Sequence, residues 1–261
     1  MPIDSALVGA LHVEYLREQD LGGGEHLHHT LFQTSTIDAL LEGSYEGDVS
    51  FAELGARGNF GLGTFDALDG EMILLDGTFY QVKADGLPYA VDRNAKTPFA
   101  VVTLFEPDLS ETLSMPMDFE ALCDHVEEVV GGGTVCCAVR VDGRFEYVKT
   151  RSVPRQHKPY PPLVEAVENQ PTFELRDVSG SLVGFRFPDY AQGLNVSGYH
   201  FHFITADRSA GGHVLACTLT RGELHIDREG DLQLELPPDV DLPAPEQSKE
   251  KGEMLDRIER E

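Results

Sequence analysis

The chain is poor in positive charge. Its Lys and Arg number 20 against 45 Asp and Glu, a formal net charge of −25, which repels nucleic acid and anionic membrane instead of recruiting them. Solubility is the plain reading of this excess, and adaptation to high salt is a further one. Long apolar runs are also missing, and the N-terminal "MPIDSALVGALHVEYLREQD" has no basic segment before its short apolar stretch. Neither a membrane span nor a secretory signal is therefore expected. Cysteine is scarce: Cys123, Cys136, Cys137 and Cys217 show no C-x-x-C spacing, and two are adjacent in an apolar run. That argues against a disulfide framework or a four-cysteine zinc site, and for buried thiols in a reducing, cytoplasmic setting. Low-complexity tracts are absent, and the one internal echo, two D-G-x-F-x-x-V segments, is explained by common turn chemistry.

What the chain does have is core. Its 261 residues, 41% of them hydrophobic, suffice for one large domain or two small ones. "TSTIDALLEG" reads as a short helix with Ser or Thr as N-cap and Gly43 as its stop. "EMILLDGTFYQV" and "CCAVRVDGRFEYV" each set an Asp-Gly pair, Asp76-Gly77 and Asp142-Gly143, between apolar or alternating segments, which predicts two tight hairpins. Between them, "MDFEALCDHVEEVV" has Phe119, Leu122, Val126 and Val129 at helical spacing, Asp118 as N-cap and glycines 131 to 133 as terminator. The proline-rich stretch from Val153 to Pro171 is the best boundary. Beyond it "FELRDVSGSLVGFRF", "SGYHFHFI", "GHVLACTLT", "GELHIDRE" and "DLQLELP" read as strands separated by turns. The expected architecture is α+β with two sheet-rich halves. Residues 1–155 should form a mixed sheet with helices, and residues 156–261 a mainly antiparallel sheet carrying a metal-binding hairpin and an acidic tail.

That hairpin is "GYHFHFITADRSAGGHVL". In an extended strand alternate side chains share a face, so His200 and His202 project together while Tyr199, Phe201 and Phe203 point into a core. "ADRSAGG" can reverse the chain and return His213 beside them, giving a three-histidine site with a position left open, suited to zinc or another divalent transition metal. Histidines satisfied by ordinary hydrogen bonds are the alternative, which three on one hairpin make less favourable. Two further readings use the same residues. His200, His202 and Asp207 spell HxHxxxxD, roughly the two-histidine, one-carboxylate set of cupin-like iron oxygenases. A non-catalytic metal-binding β protein would instead close the metal with a fourth ligand. "EHLHH", with His26, His28 and His29, suggests a second cluster but reads better as an exposed variable segment.

The stretch from Gly198 to Leu215, preceded by "YAQGLNVS", resembles the signature of the alpha-acetolactate decarboxylase family. Similar segments run along most of the chain: "LFQTSTIDALLEGSYEGD", "GNFGLGTFDALDGE", "DGTFYQV", "TPFAVVTLFEPD", "VKTRSV" and "KPYPPLVEAVENQPTF". The resemblance implies a homodimeric enzyme converting 2-acetolactate, a branched 2-hydroxy-3-oxo acid, to acetoin and carbon dioxide with zinc on three histidines. Chelated by the substrate's ketone and hydroxyl oxygens, the metal would stabilise the enediolate left by decarboxylation. Arg151 matches the family's TR motif as anchor for the substrate carboxylate, with Arg140 as its internal competitor. Glu71 matches the family's glutamate and would be the proton donor, a role suited to a carboxyl of raised pKa. Thr64 would hydrogen-bond near the substrate, and Asp66 and Asp69 read as solvated. The family also brings a C-terminal glutamate to the site, for which "LDRIERE" offers Glu259, with Glu261 close by.

Overall fold

The computed structural model describes residues 12–16 and 28–238, together with Lys251, Gly252, Leu255 and Ile258. Two large sheets pack face to face. The first is eight-stranded and mixed. Along it lie β1 (His12–Leu16), β16 (Asp231–Glu235), β2 (Thr30–Thr34), β9 (Ala100–Thr103), β4 (Phe60–Thr64), β5 (Glu71–Leu75), β6 (Thr78–Val82) and β7 (Pro88–Ala90). Among the described strands of this sheet the β1–β16 and β16–β2 pairings are parallel and the others antiparallel. The second sheet is antiparallel and takes the order β10 (Leu109–Leu113), β15 (Gly211–Glu229), β12 (Cys136–Arg151), β13 (Thr172–Phe187) and β14 (Gly198–Thr205), with β11 (Met117–Asp118) also pairing β15. A small pair, β3 (Val49–Ser50) and β8 (Lys96–Thr97), stands apart. This is the expected α+β class with one mixed and one antiparallel sheet. Sheet membership does not follow chain order, since β12 belongs to the second sheet and β16 to the first.

Period-two alternation builds the layers. On β5, Ile73 and Leu75 face the second sheet while Met72 and Leu74 face outward, and both sets are buried. Phe60 and Leu62 of β4, Val101 of β9, Val183 and Phe185 of β13 and Ile204 of β14 complete the core between the sheets. On its other face the second sheet carries α3 (Phe119–Val130), held there by Leu122, Val126 and Val130 against Phe201 and Phe203. Each such apolar side chain contributes roughly 1.5–3 kcal/mol on burial. The Asp118 carboxylate accepts from the Ala121 amide at 2.9 Å, and Gly131 ends the helix at φ 84°. The short helix α1 (Ile37–Leu41) starts on Thr36 as expected. α2 (Phe51–Leu54) begins with a capping box between Ser50 and Glu53. α4 (Leu163–Val167) lies in the proline-rich stretch.

One hairpin forms and the other does not. Asp76 and Gly77 both have positive φ, 51° and 74°, and join β5 to β6. Asp142-Gly143 makes no turn: β12 runs unbroken from Cys136 to Arg151 between β13 and β15. Gly143 lies opposite both Gly180 and Gly222, and a Cβ there would sit 2.6 Å from Leu219 Cδ1 and 2.7 Å from the Arg221 carbonyl. The glycine thus serves close approach of neighbouring strands, not reversal of the chain. Similarly, "GHVLACTLT" and "GELHIDRE" are not two strands but parts of the single strand β15, with Arg221 and Gly222 paired inside it. Among the described residues no helix is long and apolar enough to cross a membrane.

Candidate functional site

Three strands change from apolar to polar along the same face. β4 runs Phe60, Leu62, Thr64; β5, read backwards, runs Leu75, Ile73, Glu71; β14, also read backwards, runs Ile204, His202, His200. Thr64 and Glu71 are register partners, so all three strands bring their polar residues to one end of the layer between the sheets. Across the second sheet a row of direct partners joins Arg151 of β12 to His213 of β15 and His213 to His202 of β14. A bulge sets that row. Lys149 pairs with Ala216 but Thr150 with Val214, which leaves Leu215 over. A one-residue slip exchanges the faces of a strand, and this one puts His213 beside Arg151. Gly212, at φ 136°, passes so close to β12 that a Cβ would lie 2.5 Å from the Arg151 carbonyl.

The three imidazoles meet in the interior. His200 Nε2 lies 3.3 Å from His202 Nε2 and 3.0 Å from His213 Nδ1, and all three rings are buried. His202 donates its Nδ1–H to the Met72 carbonyl at 2.8 Å, which turns its Nε2 lone pair toward the cluster. Burial, and then the charge of Arg151, hold His200 down to about 3; burial and His200 hold His202 well below its usual value. Neutral imidazoles with converging nitrogens are the donor set a divalent transition metal requires.

Around them stand the other expected residues. Glu71 Oε2 is 3.5 Å from His202 Nε2, and its Oε1 accepts from the Val153 amide at 3.1 Å and lies 3.7 Å from Arg151 Nη1. Arg151 also donates to Gln170 Oε1 at 3.2 Å. Thr64 lines the same cavity and donates to the Gly70 carbonyl at 2.8 Å. This cavity has a volume of about 50 Å³, and its other wall is apolar, with Ile37, Leu40, Leu68, Phe99, Val153 and Ile258. Sequence reasoning missed the Met72 carbonyl, the Val153 amide and Gln170. Glu259 and Glu261 lie outside the described residues, although Ile258 beside them reaches the cavity.

Some expectations are corrected and others stand. Asp207 is exposed in the β14–β15 turn, where it accepts from the Ser209 amide and hydroxyl at 3.1 and 2.6 Å, so the HxHxxxxD set has no third ligand. Arg140 pairs with Asp76 at 2.7 Å and Asp142 at 2.6 Å, away from the histidines, and on the same strand as Arg151 instead of the opposite arm of a hairpin. Asp66 accepts from the Gly47 amide and Asp69 pairs with Lys83, so neither enters the site. His26 lies outside the described residues, while His28 and His29 contact Glu106 and Asp227 respectively. All four cysteines are free, and burial pushes the Cys136, Cys137 and Cys217 thiols up to about 12, as inert structural thiols require.

Residues 31–244 match the sequence profile of alpha-acetolactate decarboxylase. The chain belongs to the alpha-acetolactate decarboxylase family. Among curated members, that of Methylococcus capsulatus is 50% identical over 212 residues, covering 81% of this chain and 82% of its own. That of Methanosarcina mazei is 47% identical over 230 residues, 88% of this chain and 80% of its own. The crystal structure of the family member from Bacillus subtilis strain 168 is similar in fold, with a TM-score of 0.81, 38% identity, and coverage of 85% of this chain and 97% of that one.

Proposed function

We propose that this protein decarboxylates 2-acetolactate to acetoin and carbon dioxide with a divalent cation, zinc foremost, held by His200, His202 and His213. The observation that carries the reading is the row of Arg151, His213 and His202 on three adjacent strands, faced by Glu71 from the other sheet. When bound, the cation supplies a Lewis acid for negative charge on the substrate's ketone and hydroxyl oxygens.

The chain's own groups account for the rest. Arg151 offers planar N–H donors to the substrate carboxylate and forms no covalent bond with it, so the carbon-carbon bond to the departing carbon dioxide stays free to break. That loss leaves an electron pair on carbon and calls for one proton. Glu71 supplies it from Oε2, since Oε1 is steadied by the Val153 amide. Thr64 steadies the loop before Glu71 through the Gly70 carbonyl at the edge of the cavity. The apolar wall excludes water, which strengthens every charge interaction inside. Glu259 is retained as a further acid from the tail. The same reading makes the protein a cytoplasmic homodimer acting on a small molecule, without nucleic-acid or membrane partners, in keeping with a net charge of −25.

Metal content measured beside acetoin and carbon dioxide release from racemic 2-acetolactate, with and without chelator, tests the proposal. Near-stoichiometric zinc with chelator-sensitive turnover is expected, and His213→Ala should abolish both. Full turnover by metal-free protein would overturn it.

A further inference from the structure

The layer between the sheets has a second polar end. On β15, Leu224 and Ile226 pack toward α3, so the alternating Asp227 and Glu229 face the other sheet, beside their register partners Ala138 and Cys136. Both acids are buried, Asp227 at 0% exposure and Glu229 at 2%. Opposite them β9 continues from Val101 to Thr103, also on the inner face. Just before β2 stands His29, held at φ 55°, and the loop after β9 brings Asp108.

These groups converge. One donor atom from each of His29, Asp108 and Asp227 lies within 4.8 Å of the others, so small side-chain movements bring them to the separation of about 3.5 Å that donors take around a tetrahedral ion. His29 Nδ1 is 2.6 Å from Asp227 Oδ1. Asp227 Oδ2 accepts from the Glu106 amide at 2.7 Å and Asp108 Oδ2 from the Arg228 amide at 2.8 Å. Backbone N–H groups thus fix the two carboxylates while Asp108 Oδ1 and the second lone pairs stay available.

Glu229 is the observation that points to a cation. Both its oxygens are buried without a hydrogen-bond partner among the described residues. The Thr103 hydroxyl is near enough to favour the charged carboxylate, but its geometrically formed hydrogen bond goes to the Thr30 carbonyl at 3.2 Å. A carboxyl so placed, two residues along the same face from Asp227, is costly to bury without compensation. The charges of Asp227 and Asp108 reach it and add to burial in raising its pKa. His29, with 43% of its side chain exposed, leaves the cluster open to solvent on one side.

We propose that His29, Asp108 and Asp227, backed by Glu229, form a second metal site that takes a divalent transition-metal ion such as Zn2+ or Mn2+, independent of the three-histidine site at the other end of the layer. The mixed imidazole and carboxylate donors select that class over the all-oxygen preference of calcium or magnesium. A metal on His29 Nδ1 takes the place of the proton shared with Asp227, so binding releases a proton and weakens as pH falls.

The test counts metal on the full-length chain. Chelator-stripped protein, dialysed against micromolar Zn2+ and analysed by plasma mass spectrometry, is expected to retain two equivalents per chain, one for each cluster. His29→Gln and Asp108→Asn, both at positions reached by solvent, should each retain one equivalent fewer than wild type. Glu174→Gln, which removes the exposed partner of Arg176 on β13, should match wild type. Circular dichroism confirms that each variant is folded. Wild-type protein holding a single equivalent that His213→Ala removes, or His29→Gln and Asp108→Asn holding as much zinc as wild type, would overturn the proposal.

Discussion

His202 is the most tightly specified side chain of the site. It is 1% exposed, its Nδ1 is committed to the Met72 carbonyl, and its Nε2 faces His200 and Glu71. In metal-free protein both His200 and His202 are expected to stay neutral at pH 5, where an exposed imidazole of pKa about 6.5 is mostly protonated. The NMR shifts of their ring carbons measure this, and titration of either near 6.5 would contradict it. Neutrality has a stability cost. Below about pH 6.5 the unfolded chain binds protons that the folded site refuses, so each ring withdraws up to about 1.4 kcal/mol per pH unit as pH falls. Glu229, whose buried carboxyl holds its proton above the usual range, acts with the opposite sign, which is why ring signals rather than melting temperature isolate the effect. At this scale the sequence was legible where chemistry resides in side-chain identity and spacing. His-x-His on a strand and a third histidine after a turn could be read directly. Glu71, Thr64 and Arg151 were legible only through family resemblance, because solvated acids and strand arginines are common. The Met72 carbonyl and Val153 amide were invisible, since every residue has the same backbone atoms and only the fold decides which ones meet a side chain.

At the scale of elements, similar Asp-Gly pairs had opposite fates. Asp76-Gly77 turns with both residues at positive φ, and β6 folds back to pair with β5. Asp142-Gly143 is drawn through by pairing on both sides, from β13 and from β15, and ladder hydrogen bonds over 16 residues outweigh a local turn preference. The bulge at Leu215 was equally illegible, although it decides which face His213 takes. The helix α3 was read correctly at both ends because its caps are local chemistry: Asp118 before it, Gly131 after it. Gly212 offers a test at this scale. Its φ of 136° and its approach to the Arg151 carbonyl mean that Gly212→Ala should destabilise the protein by about 1–3 kcal/mol and weaken zinc binding by displacing His213 from Arg151. Denaturant titration and metal competition measure the two effects. Unchanged stability and affinity would show that β15 can move off β12 without cost to the site.

For the whole molecule, charge is the dominant statement. A net charge of −25 on 261 residues disfavours the compact state through self-repulsion, and salt relieves it as the Debye length shrinks from about 10 Å at 0.1 M to about 3 Å at 1 M. The melting temperature should rise across that series, by roughly 2–4 °C for each kcal/mol of repulsion removed. A flat or falling profile would count against adaptation to salt.

The row of Arg151, His213 and His202 has a further consequence. Neighbouring strands stand about 4.8 Å apart, so the backbone rungs that carry the proposed anion anchor and two of the proposed ligands are spaced by the sheet itself, as marks on a ruler. Side-chain substitution around the site cannot rescale those marks. The apolar wall is drawn from other parts of the fold, the first helix, the loop at Leu68 and the C-terminal Ile258. Descendants of this scaffold can therefore reshape the space for a substrate's alkyl groups by mutation in the wall, while the reacting geometry is inherited unchanged.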